Sequence, residues 1–147
     1  MHNKKFMKRI ILASESPRRK EILGLTRLRF TVVPSNYDEK LDDTIDPHIL
    51  AKRLSFEKAR AVAAGYTDAL IISADTFIVF GKKLMGKPGT LEEARKMLRL
   101  LNGRAHSVIT GYTILDTGTG KKITRSVETK VWIKKMSDDE LDAYVAT

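Results

Sequence analysis

The sequence predicts a mixed α/β domain, and three observations carry that expectation. Short apolar runs alternate with helical stretches through the first half of the chain. Two helix starts are written as capping boxes, Thr90-Leu-Glu-Glu93 and Ser137-Asp-Asp-Glu140. Late in the chain, two long strand-like segments flank the turn Thr117-Gly-Thr-Gly120, which reads as an extended hairpin.

Taken in order, Arg9–Ala13 is the first expected strand, and a helix runs from about Pro17 to Leu23, ending near Gly24. Ser16 is a good N-cap, and the fixed φ of Pro17 suits a first helical turn. Phe30–Val33 is a second strand closed by Pro34, and residues 34–45 form an acidic loop with Asp38, Glu39, Asp42 and Asp43. Asp46-Pro47 caps a long helix reaching Gly65. Ala69–Ala74 reads as a central buried strand that ends before Asp75. Phe77–Phe80 and Lys83–Met85, joined across Gly81-Lys82, look like a short hairpin. The helix after Thr90 carries an apolar stripe of Leu91, Ala94, Leu98 and Leu101 and stops at Asn102-Gly103. Strands over about His106–Leu115 and Ile123–Ile133 follow, and a last helix carries the chain to Thr147. No repeat, linker or low-complexity segment interrupts this, so residues 1–147 are expected to form one domain.

Composition narrows the function classes. Apolar content of 42% and charged content of 31% are those of a soluble globular protein. No apolar run reaches membrane-spanning length, so no membrane partner is expected. The basic N-terminus leads into a strand without a small-residue cleavage pattern, which argues against a signal peptide. The absence of cysteine excludes disulfides, thiolate metal sites and cysteine nucleophiles, and fits a cytoplasmic setting. Net charge is +9, and residues 1–20 hold Lys4, Lys5, Lys8, Arg9, Arg18, Arg19 and Lys20 against the single acid Glu15. Such a surface suits a polyanionic small molecule or nucleic acid, with Lys4, Lys5 and Lys8 read as solvated surface. Aromatic residues make up only 7% and are not interleaved with the basic ones, so nucleic acid is not the expected partner.

The chemistry concentrates at a few places. Ser14 to Arg19 leave the first strand and enter a capped helix, where free N–H groups and the helix dipole favour an anion near Arg18 and Arg19. Asp75 follows the central strand at what reads as its carboxyl end, the edge where open α/β sheets bind ligands. It is read either as a metal-linked carboxylate or as a turn cap before Thr76. Lys58 falls among Leu50, Ala51, Leu54, Ala61 and Val62 on the inward helix face, where an ammonium needs an anion. A ligand phosphate, a structural carboxylate and snorkelling past the core edge all remain open for it. Lys87 lies in the loop Gly86-Lys-Pro-Gly89, either functional or ordinary surface. Asp38 and Glu39 are metal-ligand candidates or simply solvated charges. His106 and the aromatic residues, including Trp132, are read as structural packing.

These pieces resemble one family. Ile11-Leu-Ala-Ser-Glu-Ser-Pro-Arg-Arg-Lys-Glu-Ile-Leu23, Asp38-Glu39, Lys58-Ala59, Ser73-Ala-Asp-Thr76, Gly86-Lys-Pro88 and Leu101-Asn-Gly-Arg-Ala-His-Ser-Val-Ile-Thr-Gly111 are similar, in order, to the motifs of the Maf proteins. These are nucleoside triphosphate pyrophosphatases historically linked to septum formation. The resemblance implies a fold shared with inosine triphosphate pyrophosphatases, two lobes around a cleft, and a homodimer. It implies Mg²⁺- or Mn²⁺-dependent hydrolysis between the α- and β-phosphates. Asp75 would be the catalytic base or a metal-linked carboxylate, and Glu39 would assist with metal. Ser14, Arg18, Arg19, Lys58 and Lys87 would hold the triphosphate. Thr76 after this aspartate resembles the branch acting on dTTP and UTP. Family members continue past Leu141-Asp-Ala-Tyr-Val145 into a segment that helps select the base, so this sequence reads as a Maf-like domain without that segment. A catalytically impaired nucleotide-binding or regulatory protein linked to septum formation is the alternative.

Overall fold

The structure is a computed structural model that describes residues 7–147; Lys4 and Lys5 of the basic cluster lie outside the described residues. Ten elements follow in chain order: β1 (Arg9–Leu12), α1 (Pro17–Gly24), β2 (Thr31–Val32), α2 (Pro47–Ala63), β3 (Ala69–Phe80), β4 (Lys83–Met85), α3 (Leu91–Leu101), β5 (Ala105–Asp116), β6 (Lys122–Trp132) and α4 (Asp138–Val145). The strands form one six-stranded sheet ordered β2-β1-β3-β5-β6, with β4 also on β3. β2, β1 and β3 are parallel, whereas β4 and β5 pair with β3, and β6 with β5, in antiparallel fashion. The mixed α/β class expected from the sequence is the class observed.

The central strand is longer than expected. β3 does not stop before Asp75 but continues without a break to Phe80, so Asp75 lies within the strand rather than after it. A carboxylate ends the apolar run, yet the two-residue period runs through it. Ile71, Ser73, Asp75 and Phe77 are all buried on one face. The short hairpin predicted at Phe77–Met85 is therefore the far end of β3 folded onto β4 through Gly81, whose φ of 60° suits the tight turn.

α2 covers that face. Asp46 caps it by accepting from His48 N–H at 2.9 Å and Ile49 N–H at 3.1 Å. Its inward residues are Leu50, Ala51, Leu54, Ser55, Lys58, Ala59 and Val62, while Ala61, expected on this face, is exposed. Two apolar clusters seat it. Ala59 and Val62 pack with Ile11, Ala13, Ala69 and Ile71 at one end. Leu50, Ala51 and Leu54 pack with Phe77, Leu84 and Ile109 at the other. Between them lies a polar belt. Near the start of α2, His48 bridges Ser126 and Glu128 of β6 at 2.8 Å and 3.2 Å, tying the helix to the edge strand.

The opposite sheet face is only partly covered. Leu12, Ile72, Tyr112 and Ile114 meet Ile22 and Leu23 of α1 around an apolar hollow, and Ile123 and Val127 of β6 continue this face while more than half exposed. α3 and α4 form a separate lobe with Leu101 and Leu141 buried, joined by Asn102, which donates to the Met136 carbonyl and accepts its N–H, both at 2.8 Å. α4 carries the expected reciprocal capping box. At α3 the box is offset: Thr90 accepts from Glu93 N–H, but the Glu93 carboxylate takes the Gly89 N–H instead of that of Thr90. Several packing expectations fail, that for Tyr144 of α4 among them, at 62% exposed. Leu91 lies in the first turn of α3, beyond its contact face, and is exposed; Trp132 ends the edge strand β6, where no further strand covers it, and is 73% exposed. Among the described residues, no helix is long and apolar enough to cross a membrane.

Candidate active site

A gap in the hydrogen bonding of β3 sets the position of the site. β1 accompanies β3 only as far as Ile72, and β4 joins the same edge only at Ile78. Ser73 to Phe77 are thus left open on that side. Above this gap lies a cavity of about 790 Å³, walled by the β1–α1 turn, the 35–41 loop and Gly86-Lys87. Because β1 has β2 on one side and β3 on the other, its carboxyl end is also the point where the chain order reverses.

Arg19 spans the gap. Its guanidinium donates to the Ala74 carbonyl at 2.9 Å, to Ser14 Oγ at 3.3 Å and to Thr76 Oγ1 at 3.1 Å. Burial lowers its pKa from the ordinary value, with Asp75 and Glu39 opposing, and a guanidinium stays charged regardless. The helix entry is as expected: Ser16 Oγ accepts from Arg19 N–H, which faces the arginine side chain back toward β3. Arg18, one residue earlier, points elsewhere. It is exposed, pairs with Glu21 at 3.5 Å and does not line the cavity.

Lys58 and Asp75 meet at the cavity floor. Lys58 Nζ donates to Asp75 Oδ1 at 2.7 Å and also pairs with Glu39. Of the partners open to Lys58 in the sequence, the structure supplies two carboxylates. Asp75 is only 2% exposed, and its Oδ2 is buried with no hydrogen-bond partner. Burial raises the Asp75 pKa, Lys58 opposes this, and the close contact with the Glu39 carboxyl and its charge add to the rise. At Glu39 burial pushes upward too, but Lys58 and the adjoining Asp75 carboxyl outweigh it, with Arg19 adding a smaller pull, and hold the carboxyl below its usual range. The two carboxylates are therefore driven apart, Glu39 toward the ionised form and Asp75 toward a proton acceptor of higher basicity.

The remaining predicted residues divide. Ser14, Thr76 and the exposed Lys87 line the cavity with Arg19, Glu39, Lys58 and Asp75. Asp38 faces outward beside Lys40 and Arg53 and lines a different hollow. His106 is buried at the start of β5, outside the cavity lining. Two contributors were not apparent from the sequence. Thr110 on β5 hydrogen-bonds Thr76 Oγ1 at 2.9 Å and so steadies the hydroxyl that meets Arg19. Gly111 lies directly opposite Asp75 in the β3–β5 register, and a β-carbon there would collide with the Ala51 backbone of α2. A glycine inside a strand pattern is a signal for such an approach; a threonine among many is not.

The chain is similar to known proteins along most of its length. A family profile described as "Maf-like protein" matches residues 9–147. A protein of Methanosarcina barkeri named dTTP/UTP pyrophosphatase is 47% identical over 142 residues, covering 96% of this chain and 72% of the relative. Proteins of the same name from Methanosarcina mazei and Moorella thermoacetica are 45% and 40% identical, covering 72% and 73% of those relatives. Among solved structures, the Ham1 protein of Staphylococcus aureus aligns with a TM-score of 0.56 at 14% identity, over 89% of this chain and 73% of that one, which speaks to the fold alone.

Proposed function

This chain belongs to the Maf family, and from that premise we propose that it is a nucleoside triphosphate pyrophosphatase that cleaves dTTP or UTP to the monophosphate and pyrophosphate. One observation carries the proposal at the level of chemistry: a buried carboxylate oxygen, Asp75 Oδ2, stands without a partner at the floor of a cavity walled by Arg19 and Lys87.

The residues divide the work. Arg19 and Lys87 attract the triphosphate, and Ser14 and Thr76 supply hydroxyls along the same wall. Asp75 Oδ2 accepts the proton of a water attacking the α-phosphorus, while Oδ1 stays fixed on Lys58. As the bond to the β-phosphate breaks, charge grows on the pyrophosphate leaving group, and the guanidinium and ammonium groups of the wall stabilise it. Arg18, turned toward solvent, contributes only to the long-range field.

A divalent cation, Mg²⁺ or Mn²⁺, fits this donor set. Asp75 and Glu39 offer hard oxygen ligands, one of them orphaned, and Mg²⁺ sites built from one or two carboxylates are completed by water and substrate phosphates. Among the described residues no cluster of three metal-ligating side chains exists, which accords with such a shared site. When bound, the metal would neutralise phosphate charge. A cytoplasmic homodimer is part of the reading, supported by the uncovered apolar face around Ile123 and Val127.

The test is pyrophosphate release from a panel of nucleoside triphosphates with Mg²⁺ or Mn²⁺, run beside Asp75→Asn. Release from dTTP and UTP that is lost in the variant supports the proposal. Saturable nucleotide binding with no release by the wild type would replace it with a binding or regulatory role.

A further inference from the structure

Between its two apolar clusters, α2 meets the sheet through hydroxyl groups. Ser55, Ser73 and Thr113 are each 0% exposed. Ser73 Oγ donates to the Ser55 carbonyl at 2.5 Å, a direct bond from strand to helix. Ser55 Oγ donates to the Lys52 carbonyl at 2.9 Å and lies 2.8 Å from Thr113 Oγ1, which lies 3.1 Å from Thr124 Oγ1. Each hydroxyl has one proton to give. With the Ser55 proton on Lys52, Thr113 must donate to Ser55 and Thr124 to Thr113. The chain has one polarity and leaves no buried hydroxyl unsatisfied.

Satisfied as they are, these three buried hydroxyls add a directional constraint that alanine and valine would not. Apolar contacts are non-directional and hold a helix against a sheet without fixing its position along its own axis. A hydrogen bond to a main-chain carbonyl does fix it. Ser55 lies one turn before Lys58 on the same helix face, and helical side chains lean toward the N-terminus, so Lys58 reaches back over that turn. Ser73 precedes Asp75 by two residues on the same strand face. The clamp therefore joins the two backbones at the places from which Lys58 and Asp75 project.

We infer that Ser73, bonded to the Ser55 carbonyl and braced by Thr113, is a positioning residue that holds Lys58 on Asp75 Oδ1 and so keeps Oδ2 free. This rests on the reading of Asp75 and Lys58 given above. Ser73 touches no reacting atom; it acts through the seating of α2.

The experiment uses the whole chain labelled with ¹⁵N-lysine, with the Lys58 ammonium resonance identified by its loss in Lys58→Arg. In Ser73→Ala and in Thr113→Val, which keeps the side-chain shape, that resonance should shift or exchange with water. Pyrophosphate release should fall about tenfold in kcat at unchanged KM. Val62→Ala, which loosens the far end of α2, should lower Tm yet leave the resonance and kcat in place. An unmoved Lys58 resonance in both hydroxyl variants overturns the inference, and if Ser73→Ala does not fold, Thr113→Val decides alone. Should the wild type release no pyrophosphate, the proposed function falls, while the Lys58 resonance still decides the positioning role.

Discussion

Gly111 lies directly beneath the carbonyl group of Ala51, with no room between strand and helix for a β-carbon. Because Gly111 is also the register partner of Asp75, this close backbone approach of α2 to the sheet occurs beside the candidate catalytic carboxylate. Gly111→Ala should therefore force α2 outward. Backbone atoms, not a flexible side-chain end, would have to move, so the cost should be about 1–3 kcal/mol or more, read as a lowered urea midpoint. Loss of turnover should accompany it.

Asp75→Asn should separate activity from stability. Removing the proton acceptor should lower turnover by about 10²–10⁴-fold. The same change leaves Lys58 paired with Glu39 and removes a carboxylate whose ionisation burial disfavours, so the Tm of the metal-free variant relative to the wild type should rise with pH. Burial raises the Asp75 pKa above its ordinary 3.8 in the folded state, with Lys58 only partly offsetting this. The folded protein then holds this proton more tightly than the unfolded chain, and wild-type stability falls as pH rises from 3.8 through the raised value. This relative rise should run over that same window and then level off. A Tm difference between the variant and the wild type that stays constant across that window would contradict this account.

Lys58→Met leaves Asp75 and Glu39 facing each other without their shared cation. Breaking a buried pair from one side costs about 3–5 kcal/mol, and the half-exposed Glu39 places this case at the low end. The loss should be greatest above the carboxylate range and should shrink on acidification, as one carboxyl takes up a proton. Thermal melts across pH 4–8 would show it.

The two adjacent arginines should behave differently. Arg19→Ala removes three hydrogen bonds across the open stretch of β3 and a cavity cation, and should raise KM for nucleotide roughly tenfold or more. Arg18→Ala removes only an exposed pair with Glu21, worth about 0–1 kcal/mol, and should leave KM within about twofold. Steady-state kinetics on both variants at one ionic strength makes the comparison.

Much of this was legible in the sequence where a residue violates its own local pattern. Lys58 stands out because a charge falls on an apolar helical face, and the structure does turn it inward. The helix starts at Ser16, Asp46 and Ser137 are visible because capping is local chemistry. In the sequence Asp75 reads as following a strand end, because hydropathy reports burial in apolar surroundings and a buried carboxylate breaks that signal without breaking the strand. The difference between Arg18 and Arg19 depends on which side of α1 faces β3, information that an eight-residue helix without a buried residue does not carry in its periodicity. The hydroxyls of Ser55, Ser73, Thr110 and Thr113 were hidden for a further reason. Each becomes meaningful only through a partner distant in sequence.

The open stretch of β3 also constrains how this scaffold can change. The turn carrying Ser14 is tied to the sheet at Ile72, and the hairpin before Lys87 begins at Ile78. The spacing between those two walls is thus counted out in residues of a single strand, about 3.3 Å at a time. Inserting one residue there would turn Asp75 to the opposite face, whereas inserting two would keep it and widen the opening by roughly 7 Å in one jump. The opening is quantised. Gradual changes in the width of the cavity must then come from the segments at 34–45 and 86–89, which carry no such ruler, while the strand keeps a fixed gauge.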